Sequence, residues 1–192
     1  SANTTGTQNV AVGNYTLDAS TTASDNTAIG YNALTANTTG TQNVAVGAYA
    51  LDANTTDSYN SAVGYQALSA NTTGEKNTAV GSFALRDSTT SDNNTALGSS
   101  ALLVSTGARN TAVGQNALVA NTTASDNTAV GQASLSANTT GANNVAVGRN
   151  SLATQTTVSD NTAVGYEALA SNTTGTQNVA VGALAADANT TG

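Results

Sequence analysis

The sequence contains no cysteine, histidine, tryptophan, methionine or proline, and only seven of its 192 residues are aromatic. The lack of cysteine excludes a disulfide framework and soft-metal sites. A globular domain of this length normally buries bulky aromatic and aliphatic side chains, whereas the apolar residues here are mostly Ala, Val and Leu. We therefore expect a thin core, which is typical of elongated repeat proteins whose units contact only their neighbours.

Charged residues are also scarce, at 8% of the chain, and the net charge is −7. This sign is the wrong one for holding phosphate backbones, so we do not expect nucleic acid as a partner. No apolar run approaches the roughly 18 residues that cross a bilayer, so we expect no membrane insertion in this segment. The basic residues are scattered along the chain, which disfavours anionic membranes; they are Lys76, Arg86, Arg109 and Arg149.

The composition also disfavours catalysis. Without histidine, general acid–base chemistry would depend on a perturbed carboxylate pair, yet acids such as Asp25 and Asp126 occupy separate turn-like positions. The many Ser and Thr residues have no evident base to activate them. No loop gathers the several carboxylates that calcium requires. The sequence therefore predicts a protein that is not an enzyme and has no cofactor or metal site.

A pentapeptide Asn-(Thr/Val/Ser)-Ala-(Val/Ile/Leu)-Gly occurs eleven times, at intervals of 17 residues with one interval of 16. The short repeat lacks one residue before Gly107, where the others carry a Thr-Thr pair. Length changes of this kind are typical of a turn. The Asn and Gly residues that define the repeats are Asn9 and Gly13, Asn26 and Gly30, Asn43 and Gly47, Asn60 and Gly64, Asn77 and Gly81, Asn94 and Gly98, Asn110 and Gly114, Asn127 and Gly131, Asn144 and Gly148, Asn161 and Gly165, and Asn178 and Gly182.

A repeat of 17 residues is too short for helix pairs, which need more than about 30. It fits one coil of an all-β parallel β-solenoid, or β-roll, with two short strands and two turns. The pentapeptide predicts the first strand, with its second and fourth residues on one face and its Ala on the other. Either Ala62 and its equivalents fill the coil while Val63 and its equivalents meet another subunit, or the reverse holds. Both arrangements cover both faces and predict a homo-oligomer.

Three further positions recur in each unit. The pentapeptide Gly indicates a turn with positive φ, or a backbone approach too close for a Cβ atom. A Leu follows four residues later in ten repeats, and we interpret it as the core anchor of the second strand. The pentapeptide Asn would stack at about 4.8 Å in successive coils, a spacing that favours a ladder of hydrogen-bonded amides.

A longer period overlies the first. The residue three places before each pentapeptide Asn alternates between Gly and another residue type, from Gly6 to Gly175. This alternation predicts a structural unit of two coils, or 34 residues. The residue directly before the Asn, as at Arg109 and Asp126, never places like charges on neighbouring coils, which avoids repulsion within a stacked column.

The pentapeptide at residues 9–13, and its copies beginning at Asn43, Asn144 and Asn178, resemble the S-V-A-I-G core of the YadA-like head repeats of trimeric autotransporter adhesins. The longer unit at residues 26–40 resembles repeats of phage tail-fibre proteins. The resemblance covers essentially the whole chain. It implies a left-handed β-roll, three chains packed side by side, and an extracellular location on a bacterial surface or a virion. The coil here is longer than the adhesin repeat, chiefly by its Asn-Thr-Thr stretch.

Residues 1–192 form a single repetitive segment without evident caps, and we expect either an excerpt of a longer fibre or a stacking unit. The expected function is a structural and adhesive fibre segment that gives a rigid rod and a contact surface. The alternatives are a filament built end to end from this chain and an ice-binding protein. A host surface glycan or protein is the expected partner of the aromatic residues that follow the pentapeptide Gly, namely Tyr15, Tyr31, Tyr49, Tyr65, Phe83 and Tyr166.

The Asn-Thr-Thr stretches are formal acceptors for N-glycosylation. A simpler interpretation is a polar turn whose side chains bond to the backbone.

Overall fold

The computed structural model of the chain describes residues 3–191. Residues 1, 2 and 192, which also belong to the predicted repeat, lie outside this range. The described residues contain eleven strands and no helix, and all the strands form one sheet in the order of the sequence. The strands are β1 (Val10–Val12), β2 (Thr27–Ile29), β3 (Val44–Val46), β4 (Ser61–Val63), β5 (Thr78–Val80), β6 (Thr95–Leu97), β7 (Thr111–Val113), β8 (Thr128–Val130), β9 (Val145–Val147), β10 (Thr162–Val164) and β11 (Val179–Val181).

Every neighbouring pair of strands is parallel and in the register of the repeat, so that Ala28 pairs with Ala45 and Ala45 with Ala62. The backbone N–H of Thr27 donates to the carbonyl of Asn43 at 2.9 Å, and equivalent bonds recur along the sheet. The predicted parallel β-solenoid of 17-residue coils is therefore confirmed. The 16-residue coil keeps the same register, since Ala96 pairs with Ala112.

The structure distinguishes between the two arrangements of the strand faces. From β2 to β10 the pentapeptide Ala is fully buried inside the coil, as at Ala62, whereas Val63 beside it is 38% exposed. The rest of the apolar interior comes from a small residue such as Ala67 and from the Leu that follows it, Leu68. The core is thus a thin column of Ala and Leu, and the aliphatic residues of the pentapeptide face outward.

The prediction of a second strand around the recurring Leu of the repeat was wrong. The segment after each pentapeptide is a run of turns in which alternate residues have positive φ, as at Gly47 (134°), Tyr49 (59°) and Leu51 (51°). An extended strand needs negative φ at every residue, so this segment cannot be one. Coil-to-coil hydrogen bonds nevertheless continue through it, since the Leu51 N–H donates to the Ala67 carbonyl at 3.1 Å. The predicted role of the Leu in the core is nevertheless confirmed, since the side chain of Leu51 is fully buried.

Both expected reasons for the pentapeptide Gly apply. Gly131 has a φ of +135°, and a Cβ atom there would lie 2.5 Å from the carbonyl oxygen of Gly148 in the next coil. The glycine positions therefore stack so closely that no side chain fits between them. Gly182, in the last coil, has a φ of +133° but would place its Cβ no nearer than 3.8 Å to another atom, the Cβ of Ala185.

The two-coil unit has a physical basis in the second set of glycines. A Cβ atom on Gly40 would lie 2.3 Å from the carbonyl oxygen of Asp57 and 2.4 Å from Oδ1 of Asn37. The coil that lacks this Gly supplies a polar side chain instead, because Ser58 Oγ accepts a hydrogen bond from the Thr41 N–H at 3.0 Å. The same pairing, of the N–H after the Gly with a Ser or Asp of the next coil, recurs at Thr7 and Ser24, Glu75 and Asp92, Ala108 and Ser125, and Ala142 and Ser159.

Substitution of the stacked glycines tests the close approach. We expect Gly131→Ala to destabilise the fold by about 3 kcal/mol. The added methyl group would clash with the carbonyl of Gly148, and an alanine at positive φ is itself strained. Gly182→Ala carries only the cost of positive φ and serves as the matched control. The measurement is chemical unfolding followed by circular dichroism. Equal losses in the two variants would show that the close approach contributes nothing.

A second pair of variants tests which side of β4 lies inside. Ala62→Leu inserts three heavy atoms into a filled interior and is expected to cost about 1–3 kcal/mol or to prevent folding. Val63→Leu changes the adjacent, outward-facing residue and should be tolerated. Thermal unfolding of both variants is the measurement. A tolerated Leu at position 62 would contradict the assignment of the Ala column to the interior.

Candidate functional site

The predicted asparagine ladder is present and buried, and it acts structurally. Oδ1 of Asn60 accepts a hydrogen bond from the backbone N–H of Asn77 at 3.0 Å, and its Nδ2 donates to the carbonyl of Gly74 at 2.8 Å. Both partners belong to the next coil, where Gly74 and Asn77 flank one turn. The side-chain amide therefore behaves as an additional peptide group in the coil-to-coil ladder. The arrangement repeats from Asn9 to Asn161.

The Asn-Thr-Thr stretches contribute a second buried polar column. Asn37 is fully buried, and its Nδ2 donates to the Gly40 carbonyl at 2.9 Å, an oxygen that also accepts from Asn26. Gln155 replaces Asn in one coil and donates equivalently to the Val158 carbonyl. The interpretation as a polar turn bonded to the backbone is confirmed. Because the buried amides are enclosed by the coil, the folded rod does not present them for glycosylation; they are Asn37, Asn54, Asn71, Asn121, Asn138 and Asn172.

The outward residues of the eleven strands form a continuous strip along the rod, which we name the outer sheet face. Ile29 and Leu97 on this strip are 39% and 46% exposed. Every residue on it is Val, Ile, Leu, Thr or Ser, and none is charged. Its members are Val10, Thr27, Val44, Ser61, Thr78, Thr95, Thr111, Thr128, Val145, Thr162 and Val179 in one column, and Val12, Ile29, Val46, Val63, Val80, Leu97, Val113, Val130, Val147, Val164 and Val181 in the other.

Five of the six predicted contact residues lie together on the first five coils, and we name them the aromatic ridge: Tyr15, Tyr31, Tyr49, Tyr65 and Phe83. Their ring centroids are separated by 5.9, 5.3, 6.3 and 5.4 Å in turn, with neighbouring planes at 79–85°. These distances and angles are those of edge-to-face aromatic pairs. The sequence left open whether these rings are exposed. In the structure Tyr15, Tyr31 and Tyr65 are exposed, whereas Tyr49 and Phe83 are half-buried.

The edge-to-face pattern follows from where each ring is attached. In the odd coils the aromatic residue is the second after the pentapeptide Gly, as at Tyr15 and Tyr49, and in the even coils it is the first, as at Tyr31 and Tyr65. Successive rings therefore leave the backbone from alternating positions and meet at a steep angle. The ridge thus shares the two-coil period of the glycines.

Two ridge residues, Tyr49 and Phe83, have polar or charged neighbours. Partial desolvation raises the pKa of the Tyr49 phenol, and the neighbouring Tyr31, with which it hydrogen-bonds, raises it further. The Arg86 guanidinium lies 5.4 Å from the centroid of Phe83 and forms a bidentate pair with Asp87 at 2.7 Å. This pairing lowers the pKa of Asp87.

The sixth predicted contact residue, Tyr166, lies apart from the ridge. Its ring contacts the Arg149 guanidinium at 5.9 Å. A hydrogen bond with Glu167 raises the pKa of the Tyr166 phenol and lowers that of the Glu167 carboxyl. Tyr166 is therefore part of a polar cluster rather than of an aromatic surface.

In the column that precedes the pentapeptide Asn, neighbouring coils carry no like charges, and one pair of opposite charges forms an ion pair. Arg109 donates to both carboxylate oxygens of Asp126 in the next coil at 2.7 and 2.8 Å, which lowers the pKa of Asp126. Asn143 donates to Asp160 at 3.2 Å in the same column. Both members of the Arg109–Asp126 pair are exposed, so the pair contributes little to the stability of the fold.

Residues 3–191 contain no group of three or more acidic side chains arranged to hold a metal ion. Over the same range, no helix is long and apolar enough to cross a membrane. No protein-family model matches the chain, and neither a curated protein nor a solved structure matches it.

Two adjacent asparagines test the importance of the ladder. Asn94 is buried, and its Oδ1 accepts from the Asn110 N–H at 2.9 Å. We expect Asn94→Ala to cost about 2 kcal/mol or more, because it leaves a buried N–H without a partner. The control is Asn93→Gly, since Asn93 is exposed and has a φ of 58° that Gly adopts easily. Urea unfolding of both variants is the measurement. A loss at Asn94 no larger than that at Asn93 would contradict a structural ladder.

Proposed function

We propose that the chain is a segment of an extracellular fibre, in which it supplies a rigid rod and an adhesive surface. Copies of the chain pack side by side through the outer sheet face, as a trimer of left-handed coils. The fibre belongs to a bacterial cell surface or to a virion. The observation that carries the proposal is the outer sheet face itself, an uncharged strip of Val, Ile, Leu, Thr and Ser that runs the length of a solenoid.

Mechanical rigidity is supported by the hydrogen bonding along the rod. Backbone bonds join each coil to the next in the strands and in the turns, and the buried amides add two more between coils. The hydroxyl of the first Thr in the Asn-Thr-Thr stretch also donates to the next coil, as from Thr38 to the Thr55 carbonyl at 3.0 Å. Bending the rod would lengthen several of these bonds at once.

Side-by-side association is supported by the size and chemistry of the outer sheet face. Eleven coils at a rise of about 4.8 Å give a length of roughly 50 Å, and two columns of side chains are roughly 10 Å wide. The resulting patch of about 500 Å² is at the upper end for the surface of a monomer. With its flanking residues, it approaches the roughly 800 Å² that each partner contributes to a stable interface.

The repeat itself favours a second copy as the occupant of this face. A partner with the same coil spacing can fit its own columns between those of the first chain over the full length. A partner of another spacing would lose register after a few coils. The resemblance of the pentapeptide to the head repeats of trimeric adhesins supports the number three.

Light scattering on the full chain across a dilution series tests this proposal. We expect a constant mass of three chains. The variant Val63→Asp/Val80→Asp places charges on the outer sheet face and should give a folded monomer, because burying unpaired carboxylates in an interface is unfavourable. The control Thr123→Asp/Thr140→Asp adds the same charges on two neighbouring coils at exposed turn positions and should remain trimeric.

Two outcomes would contradict the proposal. Mass that grows with concentration, with threads in micrographs, would indicate the filament built end to end. A wild-type monomer would leave the outer sheet face without a partner, and thermal hysteresis in such a sample would indicate ice binding.

A further inference from the structure

The aromatic ridge is a row one ring wide that follows the long axis of the rod. We propose that it binds a neutral, linear glycan chain laid along the first five coils. This inference builds on the proposed adhesive role, and it assigns that role to a particular surface and class of ligand.

The dimensions of the ridge favour a linear polymer over a folded protein. Five rings on successive coils span four coil steps, or about 19 Å, and a single ring gives a width of under about 10 Å. The exposed area is therefore roughly 200 Å², whereas a stable protein–protein interface takes about 800 Å² from each partner. A chain of sugar rings is narrow enough to be contacted along its whole length by such a ridge.

The packing of the rings disfavours a proline-rich peptide, which is also linear. Such peptides insert proline rings between aromatic side chains that are held apart to form slots. Here each ring already contacts the next, with the Tyr31 and Tyr49 centroids 5.3 Å apart and the Tyr65 and Phe83 centroids 5.4 Å apart. No slot remains between them, and only the outer faces and edges of the rings are offered to a ligand.

The chemistry of the ridge matches a sugar. The face of an aromatic ring is the negative part of its quadrupole, so it attracts the polarised C–H groups that a pyranose presents on one side. Hydroxyl groups at the rim of the sugar need hydrogen-bond partners, and Asn14, Asn32 and Gln66 place amides directly beside the rings in the sequence. Asn14 is exposed, and Asn32 and Gln66 are half-buried.

Charge selects a neutral sugar rather than an anionic one. The cation stacked on the ridge is Arg86, and both of its carboxylate contacts are with Asp87 at 2.7 Å. The negative charge of the Asp52 carboxylate contributes to the raised pKa of the Tyr49 phenol. The ridge therefore presents no excess of positive charge to a sulfate or carboxylate group.

Titration of the full chain with defined probes tests the assignment. The neutral probes are the hexasaccharides of cellulose, chitin and starch, and the comparison probes are a heparin hexasaccharide and a proline-rich peptide. Because the chain has no tryptophan, its emission comes from tyrosine, and four of the six tyrosines lie on the ridge. We expect at least one neutral hexasaccharide to bind saturably. The variant Tyr31→Ala/Tyr49→Ala should weaken it at least tenfold, and Tyr31→Phe/Tyr49→Phe should weaken it less than threefold.

Tyr166→Ala is the matched control, since it removes an exposed ring outside the ridge and should leave binding unchanged. In the wild-type chain, proton resonances of the ridge tyrosines should shift on binding while those of Tyr59 and Tyr166 stay in place, which tests the site even if a variant fails to fold. Binding of none of the neutral probes, equal binding by the alanine variant, or binding of only heparin or the peptide would overturn the inference. Light scattering on the same sample separates the two proposals, because a trimer that binds no sugar refutes the ridge assignment alone.

Discussion

The side-chain amide of the pentapeptide asparagine is the contact on which the rest of the rod depends. It joins each coil to the next through one accepted and one donated hydrogen bond, as Asn60 does with Asn77 and Gly74. These bonds hold successive coils in a single register, because an amide displaced by one residue would leave both of its partners unsatisfied in the interior. Register in turn places alanine over alanine inside the coil and glycine over glycine at the turn. A stack of this kind needs little apolar volume. This explains how a chain with so few bulky side chains can order nearly 190 residues.

The same register also determines what the surface offers. Because Ala62 and its equivalents must fit inside a narrow coil, the larger aliphatic residues of each pentapeptide face outward and accumulate into one uncharged strip. The two-coil alternation is seen at Gly40 and Ser58. It lets neighbouring turns approach closely, while only every second coil needs a Gly at this position. It appears again in the ridge, where alternating attachment lets five aromatic rings pack edge to face. The proposed subunit contact and the proposed ligand surface are thus consequences of coil stacking.

Much of this architecture could be predicted from the sequence, because residues at the same place in successive repeats lie beside one another in the stack. The period, the parallel sheet, the glycine turn and the asparagine ladder all follow from which residues recur. The second strand did not follow, since Leu51 and its equivalents have left-handed φ, which a leucine rarely adopts and which only its neighbours in the coil enforce. The choice between Ala and Val for the interior depended on the width of the coil, which periodicity does not encode. The alternation of Gly with other residues was visible in the sequence, but the sequence alone offered no reason to pair the N–H of Thr41 with Ser58 in the next coil.

Proton exchange of the asparagine side-chain amides, followed by nuclear magnetic resonance, tests the central claim most directly. If the ladder holds the stack, the Nδ2 protons of buried residues such as Asn60 and Asn127 exchange far more slowly than those of the exposed Asn14 and Asn93. The protection should be similar along the middle of the rod and should be lost together on unfolding. Side-chain amides that all exchange at the rate of the exposed residues would contradict the account, because the coils would then be held together by the backbone alone.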